Sequence, residues 1–91
     1  MPTALVTIQL EGWPPPTIEI HALIAALPQH EPGSRETPPN AIQHLNEIVL
    51  AFPVSEADST AADARARAAA RQALSSTYGG GFHVTRARIT P

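Results

Sequence analysis

The chain contains neither cysteine nor lysine among its 91 residues. Without cysteine it has no disulfide, no thiolate-ligated metal and no thiol nucleophile, a composition that fits a reducing compartment. All of its positive side chains are arginines, six against eight acidic residues, so the net charge is −2. Because a chain of this charge has no overall positive field to hold a polyanion, nucleic acid is a disfavoured partner.

Long hydrophobic runs are also missing, since no apolar stretch approaches the ~20 residues that cross a bilayer. Strand-like sequence follows Met1 and Pro2 at once, without the basic and apolar regions of a secretory leader. We therefore expect a cytoplasmic protein with no membrane partner. The length predicts a single domain over residues 1–91 with a modest core. Heavy use of alanine, proline and arginine indicates the coding bias of a GC-rich bacterium or its phage.

The first half of the chain alternates between regular segments and proline-rich loops. Apolar and polar residues alternate over residues 3–10, which predicts a strand. Trp13 and the three prolines after it predict a stiff, extended loop. Thr17 is expected to cap a helix over residues 17–27, whose apolar residues recur at helical spacing. Residues 28–40 hold four prolines and predict a long loop.

Residues 41–45 fit two different structures. Asn40 could cap a short helix over them, or they could form a strand that pairs with the next predicted strand over residues 47–54. We favour the strand, because it completes a familiar four-stranded order.

A long alanine- and arginine-rich segment predicts a helix over residues 56–78. Ser55 and Asp58 resemble a capping box at its start, and three glycines follow its end. Its predicted buried face consists of small residues: Ala62, Ala66, Ala69, Ala70, Ala73 and Leu74. Because small side chains let a helix axis approach closely, we expect this face to lie on a sheet that supplies the large core residues.

The last predicted strand, residues 82–90, has an irregular alternation. In a regular strand, two apolar residues would share a face with two arginines: Phe82, Val84, Arg86 and Arg88. Ala87 and Ile89 would lie on the opposite face. Either a bulge near Thr85 and Arg86 switches the faces, or both faces of the strand are partly covered.

The element order predicts a ferredoxin-like α+β sandwich, a small antiparallel sheet with two helices packed on one face. The other face would then be bare. We expect it to carry Leu5, with Phe82, Val84 and the two strand arginines as further candidates. Faces of this kind are commonly covered by a second copy or a partner, because large exposed apolar patches are unstable in water.

Motifs for chemistry are weak. The glycines at 79–81 follow a helix and open a strand, whereas phosphate-binding glycines follow a strand and open a helix. The four histidines have no metal-ligand spacing: His21, His30, His44 and His83. No serine lies in a nucleophile elbow. We therefore expect no metal site and no cofactor, and the catalytic residues, if any, are unknown.

The leading hypothesis is a non-catalytic binding or assembly module that acts through the bare sheet face. The expected partner is another protein or a second copy of this chain, with a homo-oligomer expected and a dimer favoured. Partner-binding candidates are Trp13, Pro15, Phe82 and Val84. The 28–40 loop is an alternative second contact. For Trp13 we favour packing back over the end of the core, with an exposed anchor as the alternative.

Two other hypotheses remain open. A small enzyme or anionic-ligand-binding subunit would use His83, Arg86 and Arg88, with its site between the sheet and the 28–40 loop. A nucleic-acid-binding domain would use the arginines of the long helix and the last strand: Arg65, Arg67, Arg71, Arg86 and Arg88. The second of these lacks the stacking aromatics that RNA-binding sheets carry.

Overall fold

The computed structural model describes residues 2–29, 38–55 and 58–90. Within these ranges the elements follow in the order β1 (Thr3–Leu10), α1 (Ile20–Ala26), β2 (Asn40–His44), β3 (Glu47–Pro53), α2 (Ser59–Thr77) and β4 (Phe82–Thr90). The four strands form one antiparallel sheet in the order β2-β3-β1-β4. The predicted α+β class is confirmed, and the ambiguous segment after Asn40 is a strand.

The core lies between one face of the sheet and the two helices. Successive side chains of a strand point to opposite faces, so alternate residues of the central strands enter the core. They are completely or almost completely buried: Ala4, Val6, Ile8 and Leu10 of β1, and Ile48, Leu50 and Phe52 of β3. The buried residues of both helices belong to the same cluster, so both helices cover the same face.

No helix in the described ranges is long and apolar enough to span a membrane.

The alanine face of α2 is confirmed as the buried face. Its buried residues are Ala62, Ala66, Ala70, Ala73 and Leu74, with Ala69 half-buried beside them. The helix lies against β1, β4 and α1. Gly79 takes a positive φ of 75° and its N–H donates to the Leu74 carbonyl at 3.3 Å, which ends the helix as the glycines predict.

Both helices begin later than predicted. For α2, the Asp58 carboxylate accepts a hydrogen bond from the Ala61 N–H at 2.9 Å, so Asp58 and not Ser55 is the N-cap. Residues 56–57 lie outside the described ranges. For α1, Thr17 does not cap the helix. The Ile18 N–H instead donates to the Gln43 side-chain oxygen at 3.2 Å, and this tertiary contact ties the chain to β2 just before the helix begins.

A bulge in β4 explains its irregular alternation. Ile8 pairs with Val84 whereas Thr7 pairs with Arg86, so Thr85 is the extra residue. The apolar residues on both sides of the bulge therefore pack against the core: Phe82, Val84, Ala87 and Ile89. Of the two alternatives for this strand, the bulge is correct. The placement of Phe82 and Val84 on the bare face is wrong, because they lie on the helix side of the sheet.

We predict that Ala70→Leu destabilises the protein by about 1–3 kcal/mol, because the added side chain overpacks the close contact between α2 and the sheet. Ala70 is completely buried. Thermal or denaturant unfolding measures the loss. Ala64→Leu is the matched control, since Ala64 is exposed on the same helix. Equal stability of both variants would show that the contact between α2 and the sheet has room for a larger side chain at Ala70.

Candidate functional site

The sheet face turned away from the helices, which we call the open face, carries alternate residues of all four strands. Its members are Thr3, Leu5, Thr7 and Gln9 of β1, Glu47, Val49 and Ala51 of β3, Asn40, Ile42 and His44 of β2, and His83, Arg86, Arg88 and Thr90 of β4. Each of them is exposed or half-buried. This face carries Leu5 and the two arginines, as predicted.

The strand registers arrange the open face in rows that cross the sheet. The middle row reads Arg86, Thr7, Val49, Ile42 from the β4 edge to the β2 edge. The row on one side of it reads Arg88, Leu5, Ala51, Asn40. The row on the other side reads His83, Gln9, Glu47, His44. Cationic groups therefore lie along β4, and apolar groups lie toward β2 and β3.

The apolar part of the open face is centred on a cross-strand pair. Ile42 of β2 lies directly opposite Val49 of β3, and their residues are 64 % and 37 % exposed. Leu5 and Ala51, which are half-buried, form a second pair in the next row. Directly opposed side chains of this kind form a continuous apolar surface.

Sequence reasoning missed Ile42 and Val49. The signal was present in the alternation of β3, where Val49 falls between two core residues. It was obscured because the apolar run from Ile48 to Val54 does not itself show which of its residues face the helices.

The cationic edge of the open face consists of Arg86 and Arg88, with His83 on the same side beyond the bulge. All of these residues are exposed. Among the described residues, neither arginine has an ion-pair partner. The guanidinium groups are therefore available to a ligand or partner on the outside of the sheet.

The helix arginines lie on the other side of the sheet, because α2 covers the opposite face. Arg67 donates to Asp63 at 2.9 Å along the helix. Arg65 lines a cavity of about 290 Å³ beside Phe52. The predicted five-arginine nucleic-acid surface is therefore divided between two sides of the molecule. The predicted site beside the 28–40 loop cannot be placed in full, since residues 30–37 lie outside the described ranges.

One end of the open face carries two exposed apolar loops. Leu45, in the turn between β2 and β3, is 58 % exposed, and Trp13, after β1, is 78 % exposed. The favoured expectation that Trp13 packs over the core is wrong. Asn46 holds the two loops together, since its side-chain amide donates to the Gly12 carbonyl at 2.7 Å and to the Leu10 carbonyl at 3.3 Å.

Gln43 forms hydrogen bonds with the C-terminal end of the loop that carries Trp13. Its side-chain amide donates to the Pro16 carbonyl at 2.6 Å and to the Leu45 carbonyl at 3.0 Å. Pro15 is half-buried between these attachments. The loop that presents Trp13 is thus hydrogen-bonded at both ends to the β2–β3 hairpin, which limits the entropy that Trp13 loses when it docks.

A depression of about 320 Å³ at the end of the open face is lined by Gln9, His44, Leu45, Asn46 and Glu47. No three histidine or carboxylate side chains of the described residues are grouped to hold a metal ion.

No family of proteins, curated protein or solved structure matches this chain significantly.

We predict that Leu45→Asn stabilises the protein by up to about 1 kcal/mol. The left-handed backbone conformation is sterically unfavourable for leucine, whereas asparagine tolerates it better. Leu45 has a φ of 54°. Its exposed side chain loses little burial on replacement. Unfolding in urea measures the gain. Leu45→Ala is the control, since alanine keeps the penalty, and a gain of equal size in that variant would contradict the explanation.

Proposed function

We propose that this protein is a non-catalytic assembly module that forms a dimer through its open face. The distribution of exposed apolar groups carries the proposal. Four large apolar residues of the described ranges are exposed: Trp13, Ile42, Leu45 and Val49. Two of them lie on the open face and two in the loops at its end. A soluble protein rarely leaves such a one-sided apolar surface uncovered.

The dimensions of the open face support a second copy as the occupant. Four strands about 4.8 Å apart and roughly 25 Å long present about 500 Å² in projection. Two such faces together bury about 1,000 Å² or somewhat more, which is near the lower limit for a specific interface. We therefore expect a reversible dimer whose population rises with concentration.

The sheet edges are poorly suited to the alternative, edge-to-edge pairing of strands. The free edge of β4 is interrupted by the bulge at Thr85 and carries Arg86 and Arg88. Bulges and charged side chains on edge strands oppose pairing with another chain. The other edge strand, β2, spans only five residues. The face is therefore the larger and less protected surface.

The β-α-β-β-α-β order and the strand order β2-β3-β1-β4 support assignment to the ferredoxin-like topology. In that topology the helices cover one face of the sheet and leave the other accessible. The assignment explains why the chain has a face available for assembly, but it does not by itself indicate a partner.

We predict that Val49→Arg weakens dimer formation at least about tenfold, because the variant must bury an unpaired charge in the interface. Sedimentation equilibrium over a wide range of protein concentration measures the dissociation constant. Ala64→Arg introduces the same side chain on the exposed side of α2 and should leave the constant unchanged. A wild-type protein that stays monomeric at millimolar concentration would refute the proposed function.

A second candidate function, binding of a small anion, is favoured by the common orientation of His83, Arg86 and Arg88. These residues lie on one side of β4. Inorganic phosphate titrated into the isotope-labelled protein should then shift the NMR signals of all three residues in parallel. The Arg86→Gln/Arg88→Gln variant should lose the shifts while keeping its unfolding midpoint. Absence of shifts in the wild type at low salt would remove this candidate.

A further inference from the structure

The orientation of the two copies follows from the chemistry of the open face. Resting on the proposed function, we infer that β4 of each copy lies over β2 of the other. The two-fold axis then runs parallel to the strands, between β1 and β3. The partner is a second copy of this chain, and the juxtaposition of a cationic edge with an uncharged apolar edge selects the arrangement.

Two arrangements are available when sheets pack with nearly aligned strands. A two-fold axis along the strands keeps each row over the same row and exchanges the edges, so β4 lies over β2. A two-fold axis across the strands keeps each strand over itself and exchanges the ends, so β4 lies over β4. Electrostatics and hydrogen bonding distinguish the two.

The axis across the strands brings like charges together. It places Arg86 of one copy over Arg86 of the other and Arg88 over His83, which gathers four guanidinium groups along the paired β4 edges. Like charges juxtaposed across an interface oppose association. With the middle rows superposed, the same axis places Glu47 over Ala51, where the carboxylate loses water without gaining a donor.

The axis along the strands separates the arginines and gives them neutral neighbours. Arg86 lies over Ile42, and its aliphatic stem can cover that exposed side chain while its guanidinium stays in water. Arg88 lies over Asn40, whose side-chain oxygen can accept a hydrogen bond from it. In these two rows the cationic edge of each copy thus rests on an edge of the other that carries no acidic or basic side chain, and in the third row His83 lies over His44.

The central strands are also complementary in this arrangement. Leu5 lies over Ala51, so a large and a small apolar side chain meet. Gln9 lies over Glu47, so an amide donor meets the single carboxylate of the open face. Thr7 lies over Val49. Each of these contacts occurs twice because the interface is two-fold symmetric.

The same axis brings equivalent ends of the two sheets together. The Leu45 turns and the Trp13 loops of both copies then lie at one end of the dimer. The axis across the strands would instead place them at opposite ends. The position of the Leu45 turn therefore reports which arrangement forms.

Spin labels on a Leu45→Cys variant test the arrangement, since the chain has no other cysteine. With sheets about 10 Å apart and strands about 4.8 Å apart, the axis along the strands places the two labelled positions about 15 Å apart. The axis across the strands places them about 25 Å apart. Adding Val49→Arg to the labelled chain should remove either distance.

A dimer with the short distance supports the inference. A dimer with the long distance overturns the inference and leaves the proposed function standing. A labelled protein without any intermolecular distance, together with a monomeric wild type, overturns both.

Mixing wild type with an Arg86→Glu/Arg88→Glu variant tests the electrostatic argument separately. In the inferred arrangement these positions face neutral residues of the partner. When equal amounts are mixed, mixed dimers should then make up close to the statistical one half of all dimers, as measured by native mass spectrometry. A large excess of mixed dimers would show that the two β4 edges face each other, and would overturn the inference.

Discussion

The contact between the alanine face of α2 and the sheet determines how the chain distributes its side chains. Alanine fills little volume, so the sheet must supply the large residues of the core, among them Ile8, Leu50 and Phe52. Because the large side chains of β1 and β3 point toward the helices, the open face receives mainly smaller or polar ones. The open face is consequently apolar only in part, which fits the proposed reversible dimer better than a permanent one.

The bulge at Thr85 is the second feature that determines which side chains face the core. Without it, a strand that kept Phe82 and Val84 in the core would turn Ala87 and Ile89 outward and point Arg86 toward α2. Burying an unpaired guanidinium there would cost several kcal/mol, of the order of the penalty for any uncompensated buried charge. The bulge lets β4 direct its apolar residues inward and its cations outward. The edge of the open face acquires its charge in this way.

Much of the fold could be predicted because it depends on local patterns. Alternation predicts β1, the alanine periodicity predicts the buried face of α2, and the glycines predict where that helix ends. The start of α1 could not be predicted, since Gln43 fixes the chain before it from another strand. Of the candidate site, Leu5 and the two strand arginines were predicted on the open face. Ile42 and Val49 were not, because their exposure depends on which face the helices cover.

The sequence by itself determined the type and order of the strands and helices other than β2, the buried face of α2 and the two possible forms of β4. Only the tertiary structure decided between those two forms of β4. It also left Trp13 exposed to solvent and made the segment after Asn40 a strand. The physical reason is the range of the interactions. Helical periodicity and capping act within a few residues, whereas the pairing of Thr7 with Arg86 and the attachment of the Trp13 loop by Asn46 join distant parts of the chain.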